Sequence, residues 1–245
     1  MRFIKIPFII VWRLWFYLLV IVPILLLFPA LLATTTKEKH YKYAYRIARF
    51  WAKIILFGMG FIPNVKVQQA LEPGKSYMLT ANHTSMIDIM MMLYVSKSPF
   101  VFIGKKELSK LPVFGFFYKR MCILVDRKSP QSRRDAFVEA QRRLSRGTSI
   151  CIFPEGGVPD DVSLKLDEFK DGAFRLAIEH QIPIVPISFI DNKKNFRYQF
   201  LTGSPGVLRA VIHPFISTED LSLNLAHKKR LKAETRAAIA SCLEW

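Results

Sequence analysis

From about Pro63 onward, short apolar runs rich in Val, Ile and Phe alternate with stretches of helical periodicity. That alternation restricts the chain more than any other feature. Strands are predicted near Val65–Val67, Tyr77–Ala81, Phe100–Ile103, Cys122–Val125, Ser149–Phe153, Ile184–Phe189 and Leu208–Ile212. Helices are predicted over Ile87–Val95, about Gln131–Ser145, and Phe169–Glu179. In the second of these, Phe137, Ala140 and Leu144 recur at spacings of three and four. Strand–helix alternation implies an α/β domain with a largely parallel central sheet flanked by helices. One further helix is expected between Leu225 and Leu243, with a basic start at Lys228, Lys229 and Arg230. The sequence shows no internal repeat, no low-complexity linker and no second soluble domain. The expected division is therefore an N-terminal anchoring segment, residues 1–60, and one domain over residues 61–245.

The N-terminal segment carries a membrane signal. From Leu14 to Ala33 there is no charged residue. At 1.5 Å per residue that helix would be about 30 Å long, the thickness of a hydrocarbon core. Pro23 and Pro29 interrupt it, so a kinked or re-entrant hairpin is an open alternative to a span. Ala33-Thr34-Thr35 makes a poor cleavage site, against a signal peptide. Just beyond, Lys42, Arg46, Arg49 and Lys53 form one stripe on a helix whose remaining surface is aromatic and aliphatic. A helix of that kind suits an anionic membrane interface. Six Lys or Arg follow Ala33 within 20 residues, against three before Leu14. If the first segment spans, positive-inside bias puts the large domain on the cytoplasmic face.

Chemistry enters at Asn82-His83-Thr84-Ser85-Met86-Ile87-Asp88, where a strand gives way to a helix. A histidine at the strand end and a carboxylate in the next helical turn can act as a pair. The carboxylate fixes the tautomer, and the other ring nitrogen serves as base near pH 7. No serine or cysteine beside His83 reads clearly as a nucleophile, and Ser85 also suits a helix start. The simplest chemistry is direct: His83 deprotonates a substrate hydroxyl, which attacks a carbonyl. The bland alternative is a satisfied histidine followed by a helix N-terminal charge.

Three further stretches follow strands. Phe153-Pro154-Glu155-Gly156-Gly157 puts a carboxylate at a strand end, with glycines that permit tight turns and close approach of a ligand. Gly104-Lys105-Lys106-Glu107-Leu108 and Asp126-Arg127 could present Lys105 and Arg127 to a phosphate. Ile184-Val185-Pro186-Ile187 reads as a buried strand with a proline at its edge. Cys122, Cys151 and Cys242 lack any metal-ligand or disulfide-frame spacing. Cys122 and Cys151 read as buried free thiols.

Taken in order, these stretches resemble the four sequence blocks of the glycerolipid acyltransferases, over roughly residues 60–215. The His-x4-Asp motif is the first block. Gly104 to Leu108 with Pro112, Gly115 and Asp126-Arg127 is the second, Phe153-Pro154-Glu155-Gly156 the third, and Val185-Pro186-Ile187 the fourth. The likeness is nearest to bacterial members that act on 1-acylglycerol-3-phosphate and carry an N-terminal membrane-bound helical pair. The resemblance implies that His83 is the general base and Asp88 its orienter. It implies that Asn82, Ser85, Lys105, Arg127, Glu155 and Gly156 contact substrate. The donor would be a thioester on coenzyme A or acyl carrier protein, the acceptor a lysolipid hydroxyl, and no metal or bound cofactor would be needed.

One position departs from the pattern. Members acting on phosphate acceptors usually continue the third block with Thr-Arg, where this chain has Gly157 and Val158. Lys165 or Lys170 could supply the missing cation. Relatives that acylate an N-acylated amino acid, as in glycine or ornithine lipids, need no phosphate clamp, so that acceptor stays open. So does a catalytically dead lipid-binding scaffold. The formal net charge of +17 favours an anionic partner. Its clearest stripe lies beside the membrane segment and no nucleic-acid motif is present, so the expected partner is anionic lipid and not nucleic acid.

Overall fold

The computed structural model describes residues 2–159, 161, 163–164 and 166–243. The strands among them are β1 (Phe61–Val67), β2 (Met78–Ala81), β3 (Phe100–Lys105), β4 (Cys122–Val125), β5 (Ser149–Ile152), β6 (Ile184–Phe189) and β7 (Gly206–Ile212). They form one mixed, mostly parallel sheet in the order β1-β7-β6-β2-β5-β3-β4. β2 pairs in parallel with β5 and β6, and β3 pairs in parallel with β4 and β5. The helices are α1 (Arg2–Leu26), α2 (Phe28–Thr35), α3 (Tyr41–Gly58), α4 (Ile87–Val95), α5 (Phe114–Met121), α6 (Pro130–Leu144), α7 (Gly172–Glu179), α8 (Asn192–Asn195) and α9 (Leu225–Ala240). The α/β class and the largely parallel sheet expected from the sequence are borne out.

The chain forms two compact units. One comprises Met1–Val65, Thr84–Lys97 and Phe189–Ala210; the other comprises Lys66–His83, Ser98–Ser188 and Val211–Trp245. In the first, α1 supplies a helix over Ile6–Leu26 that is long and apolar enough to cross a membrane by length and composition. Phe8, Val11, Leu14, Leu18, Ile21 and Leu25 recur every three or four residues along it and are all exposed. Indole hydrogen bonds tie it to α3 and to the residue that follows α3. Trp12 Nε1 donates to the Met59 carbonyl at 3.1 Å and Trp15 Nε1 to that of Gly58 at 2.9 Å. In return, Trp51 Nε1 on α3 donates to the Val20 carbonyl at 3.0 Å. Pro23 lies inside α1 without ending it; the break falls at Leu27. Pro29 sits in the first turn of α2, where its missing N–H is not required.

α3 spans the stretch expected for the basic stripe, and the stripe is not uniform. Lys42, Arg46 and Lys53 are exposed. Arg49 turns inward and donates to the carbonyls of Leu93 and Tyr94 at the end of α4, at 2.9 and 3.2 Å. Of the aromatic positions, Tyr45 and Trp51 are buried while Tyr43, Phe50 and Phe57 remain exposed.

In the second unit β2, β5 and β6 carry the core. All residues of β2 and β6 are buried, as continuous apolar strands of a parallel sheet must be. The proline read from sequence as lying at a strand edge is Pro186, opposite Thr80 inside the sheet. Its carbonyl accepts from the His213 N–H at 3.0 Å, so only the donor is lost there. Cys151 is fully buried as expected, but Cys122 is only partly buried, because the outward-facing positions of edge strand β4 are less covered. Helix α5 had no sequence signal: it begins directly after Val113, whose φ is 60°, between Pro112 and Gly115.

Candidate active site

Because β2, β5, β3 and β4 run in parallel, their carboxyl ends share one edge of the sheet, the usual location of sites in α/β folds. His83 follows β2, Glu155 follows β5, Lys105 closes β3 and Arg127 follows β4. All four belong to the second unit.

His83 is half-buried. Its ring stacks on Phe153, with centroids 4.2 Å apart and planes inclined by 19°, and Phe153 in turn faces Phe102. The His83 backbone N–H donates to Glu155 Oε1 at 2.6 Å. Glu155 Oε2 accepts from the Asp167 N–H at 2.8 Å, and the residue is only 4% exposed. Both carboxylate oxygens are thus occupied by backbone donors. Glu155 fixes the turn that presents the imidazole, a placement that its position in Phe-Pro-Glu-Gly did not reveal.

Gly156 and Gly157 explain how the departure in the third block is accommodated. Gly156 has φ +79°, in the region that favours glycine. A Cβ built on it would lie 2.6 Å from Lys170 Nζ, and one on Gly157 would lie 3.0 Å from Arg127 Nη1. Two cations therefore lie directly on the backbone of the two glycines. Lys170 is anchored by its N–H to the Pro154 carbonyl at 2.8 Å. Lys165, the other candidate cation, lies outside the described residues. Lys105 is exposed at the end of β3.

The remainder of the His-x4-Asp motif lies in the first unit. Asp88 is fully buried in the first turn of α4. Its Oδ2 accepts from the Thr84 and Ser85 N–H groups at 2.7 and 2.8 Å, and Oδ1 accepts from Asn192 Nδ2 at 2.7 Å. Ser85 is also fully buried: its hydroxyl donates to the Phe196 carbonyl and accepts from the Ile87 N–H at 3.2 Å. That is the helix-start role weighed for it above, and it leaves the hydroxyl engaged within the protein. Asn82 is 2% exposed. Asn192 was not singled out in the sequence; the only cue is its position just beyond a buried strand. Among the described residues, no group of three or more His, Cys, Asp or Glu side chains could hold a metal.

At the carboxyl ends of parallel strands, the second unit thus brings together a half-buried histidine, a buried glutamate and two cations. A family model described as Acyltransferase matches residues 63–190, and the chain belongs to that family. It is 30% identical over 196 residues to the chloroplastic 1-acyl-sn-glycerol-3-phosphate acyltransferase LPAT1 of Arabidopsis thaliana, covering 77% of this chain and 53% of that protein. It is 26% identical over 193 residues to the 1-acyl-sn-glycerol-3-phosphate acyltransferase of Borreliella burgdorferi, covering 78% and 76%. The chain spans about half the length of the plant relatives it matches. In fold, it resembles the crystal structure of the 1-acyl-sn-glycerophosphate acyltransferase PlsC from Thermotoga maritima, with a TM-score of 0.76 at 22% identity, over 100% of this chain and 99% of that one.

Proposed function

We propose that this protein transfers a fatty acyl group from a thioester, on coenzyme A or acyl carrier protein, to the free hydroxyl of 1-acylglycerol-3-phosphate, giving phosphatidic acid. The observation that carries this is the half-buried His83 imidazole, held at a strand's carboxyl end by Phe153 and Glu155, with Lys170 and Arg127 on the backbone of Gly156 and Gly157. His83 takes the acceptor's hydroxyl proton as the oxygen attacks the thioester carbonyl. The tetrahedral intermediate then collapses, the C–S bond breaks, and the imidazolium returns the proton to the leaving thiolate. Asp88 keeps the imidazole in the required tautomer and stabilises its protonated form. The reaction needs no bound cofactor or metal; the thioester is a substrate.

The cation pair favours a phosphate acceptor over an N-acylated amino acid. Arg127 and Lys170 offer charge-assisted hydrogen bonds near the base, in the region where Val158 cannot. Lys105 adds a third cation from β3. The exposed apolar face of α1 and the exposed Lys42, Arg46 and Lys53 suit attachment to an anionic membrane, with the sheet domain on the cytoplasmic side. The test is a competition assay: one acyl thioester, with lysophosphatidic acid and an N-acylated amino acid supplied together. Predominant phosphatidic acid supports the proposal; exclusive acylation of the amino-acid lipid refutes it. Folded His83→Ala protein should lose turnover by about 10²–10⁴-fold.

A further inference from the structure

The apolar stretch Ile6–Leu26 of helix α1 contains one charged residue, which the proposed chemistry does not use. Arg13 is 2% exposed. Its Nη2 donates to the carbonyls of Arg197, Gln199 and Thr202 at 2.7, 3.1 and 2.6 Å. Its guanidinium lies over the Phe196 ring, 3.9 Å from the centroid. A buried cation in an otherwise apolar helix is costly and is retained where it does work. Here a lipid-facing role is excluded, because the guanidinium points at protein carbonyls from the face opposite Phe8, Val11 and Leu14.

The loop it grips is closed at its base, where the Ser204 N–H donates to the Asn195 carbonyl at 3.0 Å. Its first residue leads to the site. The Phe196 N–H donates to the Asn192 carbonyl at 2.8 Å, and Asn192 Nδ2 donates to Asp88 Oδ1. The Phe196 carbonyl accepts from Ser85 Oγ, and the Ser85 N–H donates to Asp88 Oδ2. Both oxygens of the Asp88 carboxylate are therefore held by groups that meet at Phe196. Arg13 lies over the ring of that same residue. All of these residues belong to one compact unit.

We propose that Arg13 is a positioning residue for Asp88: seating α1 on residues 196–202 sets the orientation of the carboxylate that orients His83. The apolar helix is then a part of the active-site scaffold as well as an attachment device. The inference rests on the reading of Asp88 as the orienter of the base.

The experiment compares full-length wild type with Arg13→Met, Arg13→Lys, Phe196→Leu and Asp88→Asn, purified in mixed detergent micelles that present lysophosphatidic acid and acyl-coenzyme A. Micelles remove any need for the helix to find a bilayer. Arg13→Met should lower kcat by up to about 10²-fold, the scale of an ångström-sized misplacement, with the KM of both substrates unchanged. The acid limb of its pH profile should move to lower pH, because an imidazolium less well met by Asp88 loses its proton more readily. Arg13→Lys should recover part of the rate: an ammonium can donate to the carbonyls but cannot lie flat on Phe196. Phe196→Leu keeps the backbone bonds and should show a smaller shift in the same direction. Folded Arg13→Met protein with wild-type kcat and pH profile overturns the proposal. So does a loss seen with vesicles but absent in micelles, which marks Arg13 as an anchor alone. If Arg13→Met does not fold, Phe196→Leu decides by the same two readouts. An inactive Asp88→Asn beside a normal Arg13→Met sinks this inference only, whereas a fully active Asp88→Asn sinks the reading of Asp88 itself.

Discussion

Glu155 separates two roles that the same position in the sequence could serve. As a group contacting acceptor, its loss would raise the acceptor KM and leave folding alone. The structure instead spends both oxygens on backbone donors, those of His83 at 2.6 Å and Asp167 at 2.8 Å, at 4% exposure. Glu155→Gln keeps the shape but offers one acceptor where two are needed. One backbone N–H then faces an amide NH₂. A hydrogen bond to a charged group contributes about 1.5–3 kcal/mol, and a buried donor left unmet costs about 1–3 kcal/mol. The two overlap, so the expected destabilisation is about 2–4 kcal/mol. In a chain of this length that lowers Tm by roughly 4–16 °C. Because the released group is the backbone of the base, kcat should fall while the acceptor KM changes little. Thermal unfolding in detergent and steady-state kinetics on the same preparation measure both. An unchanged Tm with a selectively raised acceptor KM would refute this account and restore Glu155 to the acceptor.

Three other outcomes follow from particular side chains. Replacing Lys42, Arg46 and Lys53 together by Ala should weaken binding to anionic vesicles by about 3 kcal/mol at low salt and far less at high salt; Arg49→Ala should instead lower Tm, because its guanidinium holds the Leu93 and Tyr94 carbonyls. His213 is buried with Nε2 2.7 Å from Ser188 Oγ, and burial lowers its pKa. The unfolded chain therefore binds the extra proton first, so this contribution to stability is present above about pH 6.5 and is lost as pH falls below it; denaturant unfolding of His213→Gln should show a shallower acid slope than wild type, and parallel slopes would contradict this. Burial pushes the Cys151 thiol well above its ordinary range, so at pH 8 iodoacetamide should leave Cys151 unlabelled in the native protein and label it on unfolding, as peptide mapping would read.

What the sequence made legible is local. Each strand was visible as a short, largely apolar run, and His83 and Asp88 stood out because their spacing alone suggests a pair. What stayed hidden depends on partners distant along the chain. Ser85 looks like a polar group available to substrate until the Phe196 carbonyl, 111 residues later, takes its hydroxyl. Asn192 is one asparagine among several until it meets Asp88, 104 residues earlier. Arg49 belongs to the basic stripe by periodicity, yet α4 supplies carbonyls that draw it inward. Pairing of this kind is set by sheet order, and β2 lies between β5 and β6, neither of them its neighbour in sequence.

The missing cation of the third block shows the same limit from the other direction. By sequence, Val158 where arginine is usual reads as a loss. In the fold, the two residues before it lack side chains, and the space this leaves is filled from elsewhere. Lys170 reaches Gly156 from after the loop, and Arg127 reaches Gly157 from the end of β4. A Cβ at Gly156 would lie 2.6 Å from the ammonium as well as in a backbone conformation that disfavours it, and one at Gly157 would lie 3.0 Å from the guanidinium. Restoring the usual pair as Gly157→Thr and Val158→Arg should therefore displace Arg127 rather than simply add a further cation. The glycines and the cations form one arrangement, and changing either alone removes charge from the base's surroundings. Gly157→Thr by itself should raise the KM for a phosphate acceptor with kcat least affected, since His83 is held through Glu155 and Phe153 and not through Gly157. A variant with an unaltered acceptor KM would show that Arg127 does not meet the phosphate.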